Sequence, residues 1–278
     1  EQEQVQVQVR VMQGKGQAKR MRAAAEEGLV FLDADNTLWD TDRVFAAAQL
    51  ELLDASFAAF GGEIHGDPLA FVRSVDQAIA ERHHDGLRYP PKLLVRGMGA
   101  ALAGARAERA ARIALVDPTP PIAGNEDAMV ARFLSMLGET PQERGGVREG
   151  LHHLRDERIS VVVLTEGSST RARRTAEKIG IDPMISRYFE GRKRVRLFER
   201  FKRLAGDGET PFMVGDQLDR DIAPARAAGL GTIHFPGGFI PKWTPSAGQA
   251  SPDHVVDNLL DAARIVTRHA RTAAHISA

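Results

Sequence analysis

At 278 residues the chain is long enough to bury a sizeable core, in one large domain or two smaller ones. Basic and acidic side chains balance at 37 each, so nothing global draws it toward nucleic acid or an anionic membrane. The absence of cysteine excludes disulfides, thiolate metal sites and a thiol nucleophile, and fits a cytoplasmic location.

Residues 1–27 differ in character from the rest of the chain. EQEQVQVQVRV alternates polar and apolar residues at a period of two, and QGKGQAKRMR then turns basic and loses the period. This segment is expected to be a tail or an added edge strand. No secretory signal is read at its start, and no apolar run approaches the roughly 20 residues that span a bilayer.

Gly28 to Asp33 reads as a buried strand. Asp42 to Phe60 is apolar at helical spacing, and Gly61-Gly62 stops it. Asp67-Pro68 has the form of an N-cap followed by proline at the first helical position, which starts a helix to about Arg82. Pro91 to Leu115 is alanine-rich and reads as one helix. Residues 117–125 form a loop, and Glu126 to Leu137 a further helix. No strand pattern appears between residues 42 and 158.

From Val147 the rhythm changes. A helix to about Glu157 precedes the β-branched run Ile159 to Leu164, typical of a strand buried on both faces. Next come a helix from Ser169 to Ile179, a strand near Ile185 to Phe189, a helix from Val195 to Leu204 and a strand from Pro211 to Val214. A helix from Arg220 to Ala228, strands at Thr232 to Phe235 and His254 to Val256, and a helix from Leu259 to about His269 complete the chain. This alternation predicts βαβ units and a parallel sheet. The fold class is therefore α/β, a Rossmann-like parallel core at 28–41 and 147–278, interrupted by an all-helical domain at 42–146.

The stretch LVFLDADNTLWDT, Leu29 to Thr41, carries the chemistry. Its apolar run delivers Asp33 and Asp35 to a strand end, with Thr37 two residues beyond. Buried carboxylates are normally paired or bind a metal, and ligands of open α/β sheets bind at carboxyl strand ends. A cation-binding, carboxylate-based site near residue 33 is expected. Two aspartates after a strand also occur in a plain Asx-capped turn.

D-x-D-x-T after a strand resembles motif I of the haloacid dehalogenase superfamily. Thr165 ends its apolar run as that family's second-motif Ser/Thr does. Lys193 lies in the region of the third-motif lysine, whereas Lys178 falls inside a helix and Lys202 too near the next strand. VGDQLDRD, Val214 to Asp221, matches the fourth motif, G-D-x-x-x-x-D. The resemblance implies a HAD-like core with a helical cap and a Mg²⁺-dependent phosphatase acting on a small phosphorylated metabolite. It makes Asp33 the nucleophile of an aspartyl-phosphate intermediate and Asp35 the acid and base. Thr165 and Lys193 would hold the phosphate. The Asp33 side chain, the Asp35 carbonyl and the Asp216 side chain would bind Mg²⁺, with Asp221 binding through water or orienting Lys193. Many relatives carry Asn after the Thr165 position. Glu166 stands there instead, and an unpaired carboxylate beside a phosphate site would repel an anionic substrate.

A 2-haloacid dehalogenase and a phosphomutase share this fold, and a non-catalytic binding or regulatory protein can be built on it. Expulsion of halide needs neither a leaving-group acid nor a metal, so Asp35 and Asp216 favour phosphate chemistry. The cap is expected to select substrate, with Arg43, Arg88, Tyr89, Lys92 and Arg96 as candidate contacts. The basic run at 192–203 reads as a solvated helix face, and its two phenylalanines, Phe198 and Phe201, are not taken as aromatics suited to base stacking, so no nucleic-acid partner is expected; no membrane partner is expected either. His83-His84 and His152-His153 lack the i, i+4 spacing of a helical zinc site.

Overall fold

The computed structural model describes residues 28–83, 89–117, 125–203, 205, 210–244 and 250–276. The expected tail or strand at 1–27, and Arg88, lie outside them. The chain divides into two compact units, one running to Asp40 and resuming at Gln142, the other spanning Thr41–Pro141.

The first unit is built on a six-stranded parallel sheet. Its strands are β1 (Leu29–Leu32), β2 (Ser160–Thr165), β3 (Arg187–Glu190), β4 (Phe212–Gly215), β5 (Gly231–His234) and β6 (His254–Val255), in the order β3-β2-β1-β4-β5-β6. β1 is central, with Phe31 beside Val162 on one neighbour and Met213 on the other. The period of two divides the strand side chains between two cores. Val30, Leu32, Val161, Val163 and Val214 pack with Leu151, Leu154, Leu259 and Val266. Leu29, Phe31, Val162, Leu164 and Met213 pack with Phe198 and Phe201. Each such buried side chain contributes roughly 1.5–3 kcal/mol, and burial on both faces explains why these strands read as continuous apolar runs.

The second unit is helical: α1 (Thr41–Phe60), α2 (Pro68–Arg82), α3 (Lys92–Leu102), α4 (Ala107–Val116) and α5 (Glu126–Met136). Leu52, Leu53, Val72, Ile79, Leu94, Met98 and Phe133 form its own core. Asp67 caps α2 as its sequence indicates, accepting the Ala70 N–H at 2.7 Å. The single helix expected from Pro91 to Leu115 is two. The chain turns at Gly104, where φ is +91°, a conformation glycine adopts freely; the alanines on either side conceal the break.

The remaining helices belong to the first unit: α6 (Val147–Asp156), α7 (Ser169–Ile179), α8 (Val195–Lys202), α9 (Ala223–Ala227) and α10 (Leu259–Ile276). The helix expected from Arg220 to Ala228 is instead a π-helical turn, Leu218–Ile222, leading into the short α9. The wider turn places the Asp221 carboxylate back over Gly215, where an added Cβ would lie 2.3 Å from it. α10 runs beyond the expected His269, and Ala270 packs against the core. The chain also rejoins the first unit earlier than residue 147. Asp40 N–H bonds to Gln142 O at 2.8 Å, Trp39 bridges to Glu143, and Arg144 N–H bonds to Leu38 O at 3.1 Å. No helix among the described residues is long and apolar enough to cross a membrane.

Candidate active site

The strand order reverses between β1 and β4. In open parallel sheets this is the place where ligands bind, outside the carboxyl ends. Asp33 comes directly after β1 and Asp216 directly after β4. With Asp221 of the π-turn they form an acidic cluster in which one carboxylate oxygen from each residue lies within 4.8 Å of the other two.

Lys193 enters this cluster from the loop before α8. Its buried ammonium donates to Asp33 Oδ1 and, at 2.6 Å, to Asp221 Oδ1. The second oxygen of Asp221 accepts the Gln217 N–H at 3.0 Å. Thr37 Oγ1 donates to Asp33 Oδ2 at 3.4 Å. Asp216 differs: its Oδ1 is buried without a hydrogen-bond partner among the described residues. Gly237 crowds the same carboxylate, since a Cβ there would lie 2.8 Å from Asp216 Oδ2.

One ammonium does not neutralise three carboxylates. Burial pushes the Asp33 carboxyl up to about 7, against the opposing pull of Lys193, and Asp221 adds to the rise. Burial, then Asp33 and Asp221, hold Asp216 well above the carboxylate range. Burial pulls the Lys193 ammonium down, but Asp221 and Asp33 outweigh it and keep the group above its ordinary value. An oxygen-only set with excess negative charge and a buried carboxylate oxygen that lacks a partner among the described residues fits a hard divalent cation.

Asp35 and Thr165 flank the cluster. The Asp35 carboxylate is exposed, outside the acidic group, and accepts the Trp39 indole N–H at 3.0 Å. Thr165, buried at the end of β2, accepts the Gly167 N–H at 2.9 Å through Oγ1, which leaves its hydroxyl proton to donate elsewhere. Glu166 is not the repulsive charge that its position suggests. Oε1 accepts the Lys193 backbone N–H at 2.8 Å and Oε2 takes Arg220 Nη1 at 2.7 Å.

Two residues not singled out in the sequence border the cluster. His234 at the end of β5 donates from Nε2 to the Asp216 carbonyl at 3.0 Å, and burial keeps its imidazole below the ordinary range. Arg144 donates to the carbonyls of Asn36, Phe235 and Pro236. Their signal is weak because both bind backbone carbonyls, which every residue type presents. Two expected substrate contacts are committed within the helical unit. Tyr89 donates to Asp76, and Arg96 pairs with Glu126 at 3.1 Å. His153 bonds to Thr267 and His152 to Arg155, structural roles for that pair.

A family model of haloacid dehalogenase-like hydrolases matches residues 28–229. A ribulose-1,5-bisphosphate 5-phosphatase of Halopiger xanaduensis is 25% identical over 142 residues, 49% of this chain and 58% of that protein. The chain thus spans little more than half of that relative's length. Among solved structures, a haloacid dehalogenase-like family hydrolase of Xanthomonas campestris aligns with a TM-score of 0.58 at 17% identity, over 89% of this chain and 98% of its own. The Bacillus subtilis protein YfnB, assigned to the HAD hydrolases and bound to magnesium, aligns with a TM-score of 0.54 at 18% identity, over 86% and 98%. At these identities the two structures speak for the fold.

Proposed function

We infer that the chain, which belongs to the haloacid dehalogenase-like hydrolases, is a Mg²⁺-dependent phosphatase that cleaves a small phosphate monoester through an aspartyl-phosphate intermediate. The observation that carries this reading is the pairing of Asp33 with Lys193 beside Asp216, whose buried Oδ1 has no hydrogen-bond partner among the described residues. The phosphatase name of the Halopiger relative supports the same substrate class.

The Asp33 and Asp216 carboxylates and the Asp35 backbone carbonyl would hold the cation, which supplies charge neutralisation for a bound phosphate and keeps the carboxylates ionised. Asp221 has one oxygen on Lys193 and the other on Gln217 N–H; its part is to anchor Lys193. An Asp33 oxygen attacks phosphorus while the bond to the leaving oxygen breaks, and Asp35 gives that oxygen its proton. Asp35 then takes a proton from water, whose oxygen attacks phosphorus and frees Asp33. Lys193 and the Thr165 hydroxyl stabilise the charge on the phosphoryl oxygens. The helical unit holds none of these residues, and we assign it the selection of substrate.

A panel of phosphate monoesters assayed in Mg²⁺ and in EDTA tests the reading. Phosphate release confined to the Mg²⁺ arm supports it. No turnover of any ester, with halide release from a 2-haloacid in EDTA, would overturn it.

A further inference from the structure

Arg144 occupies an unusual place for a cation in a site expected to bind another. Its guanidinium reaches three backbone carbonyls on two loops. Nη1 donates to Asn36 O and, at 3.3 Å, to Phe235 O, while Nη2 donates to Pro236 O at 2.7 Å. The group also lies over the Phe235 ring, 3.7 Å from its centroid. Asn36 belongs to the loop after β1 that carries Asp33 and Asp35, and its own φ of +59° is one a non-glycine residue rarely holds. Phe235 and Pro236 leave β5 and lead to Gly237. A Cβ at Gly237 would lie 2.8 Å from Asp216 Oδ2 and 3.3 Å from Asn36 Cβ. The two loops therefore meet against the carboxylate whose buried oxygen has no hydrogen-bond partner among the described residues.

A lysine could serve the charge of Arg144, but not its geometry. A planar fork of N–H donors can bridge several carbonyls at once while its face stacks on an aromatic ring. Such outer groups orient the residues that contact a metal and so set its affinity.

We propose that Arg144 is a positioning residue for the divalent cation: it staples the β1 and β5 loops together and thereby fixes the Asp216 carboxylate and the Asp35 carbonyl for binding. This rests on the reading of the site as a cation centre. Its hydrogen bonds go to backbone carbonyls of the two loops and its face to the Phe235 ring, so it acts through the loops. Its removal releases the Asn36 and Pro236 carbonyls, and Asp216 loses the wall that holds its rotamer.

The probe is Mn²⁺ alone, titrated into the metal-stripped full chain and monitored by electron paramagnetic resonance. Arg144→Met is expected to raise the Mn²⁺ dissociation constant at least about 10-fold, with circular dichroism unchanged. Arg144→Lys, which keeps the charge, recovers only part of the affinity. A merely structural role would lower the melting temperature and leave the affinity of the folded protein alone. Mn²⁺ affinity within twofold of wild type in folded Arg144→Met overturns the proposal. If that variant does not fold, unchanged affinity in Arg144→Lys overturns it equally. Wild-type protein that fails to bind Mn²⁺ refutes the cation reading itself, a result distinct from either.

Discussion

Glu166 holds the backbone of Lys193: its Oε1 accepts the Lys193 N–H at 2.8 Å, which fixes where the lysine leaves its loop. The other oxygen is paired with Arg220 at 2.7 Å, so the carboxylate is neutralised beside the expected phosphate site. Glu166→Gln keeps a carbonyl acceptor for Lys193, whereas Glu166→Ala leaves that N–H unmet. Loss of a hydrogen bond to a charged group costs roughly 1.5–3 kcal/mol. Glu166→Ala should therefore reduce kcat about 10- to 100-fold, and Glu166→Gln clearly less. Steady-state kinetics on one phosphate ester decides this, and equal losses in both variants would count against backbone positioning.

Asp33→Asn should abolish turnover, by at least about three orders of magnitude, since it removes the nucleophile. The amide oxygen can still accept from Lys193, so the fold is expected to remain. Circular dichroism and a hydrolysis assay on the same sample test both halves. Retention of more than about a tenth of the activity would remove Asp33 from the nucleophile role.

The same variant has a pH signature in EDTA. Asp33 is raised to about 7 in the folded state from an ordinary 3.8. Its contribution to stability is present in full below the unfolded value and is lost as pH rises through the folded one. Wild type should therefore fall behind Asp33→Asn between about pH 4 and pH 7, with the gap level above that. Denaturant melts of both proteins across this range measure the difference, and a gap independent of pH would contradict it.

Cation removal should stop catalysis, and Mg²⁺ should raise the melting temperature of wild type. At a hundred times the dissociation constant the gain is about 2.7 kcal/mol. Asp216→Ala should lose that gain. In EDTA it should melt no lower than wild type, because it deletes a buried oxygen that has no hydrogen-bond partner among the described residues. Thermal melts with and without Mg²⁺ give both results. A full Mg²⁺ response in Asp216→Ala would exclude this carboxylate from the site.

The parts of the site legible in the sequence are those set by local spacing. Asp33, Asp35 and Thr37 share one turn, and Asp216 and Asp221 one motif, so their residue types announce them. Thr165 is marked by the β-branched run before it. Lys193 is legible only through the resemblance, because its partners Asp33 and Asp221 are remote in sequence. Arg144 and His234 carry no such mark, since their partners are carbonyls brought close by the sheet. The sheet is legible for a related reason: two-faced burial writes apolar runs along β1, β2 and β4. The interruption at Gly104 and the π-turn at Leu218–Ile222 escape a sequence reading, as alanine suits either side of a break and helical periodicity does not separate α from π over one turn.

The hydrogen bond from Asp40 N–H to Gln142 O has a consequence for descent as well as for folding. The chain leaves the sheet unit and returns to it at one point, so Thr41–Pro141 is a closed detour in an otherwise continuous fold. Closure entropy grows only logarithmically with the length of such a detour. The detour can lengthen, shorten or be exchanged for another cassette without re-threading a strand. Lineages can thus trade one helical insert for another while the aspartates on the sheet stay where they are.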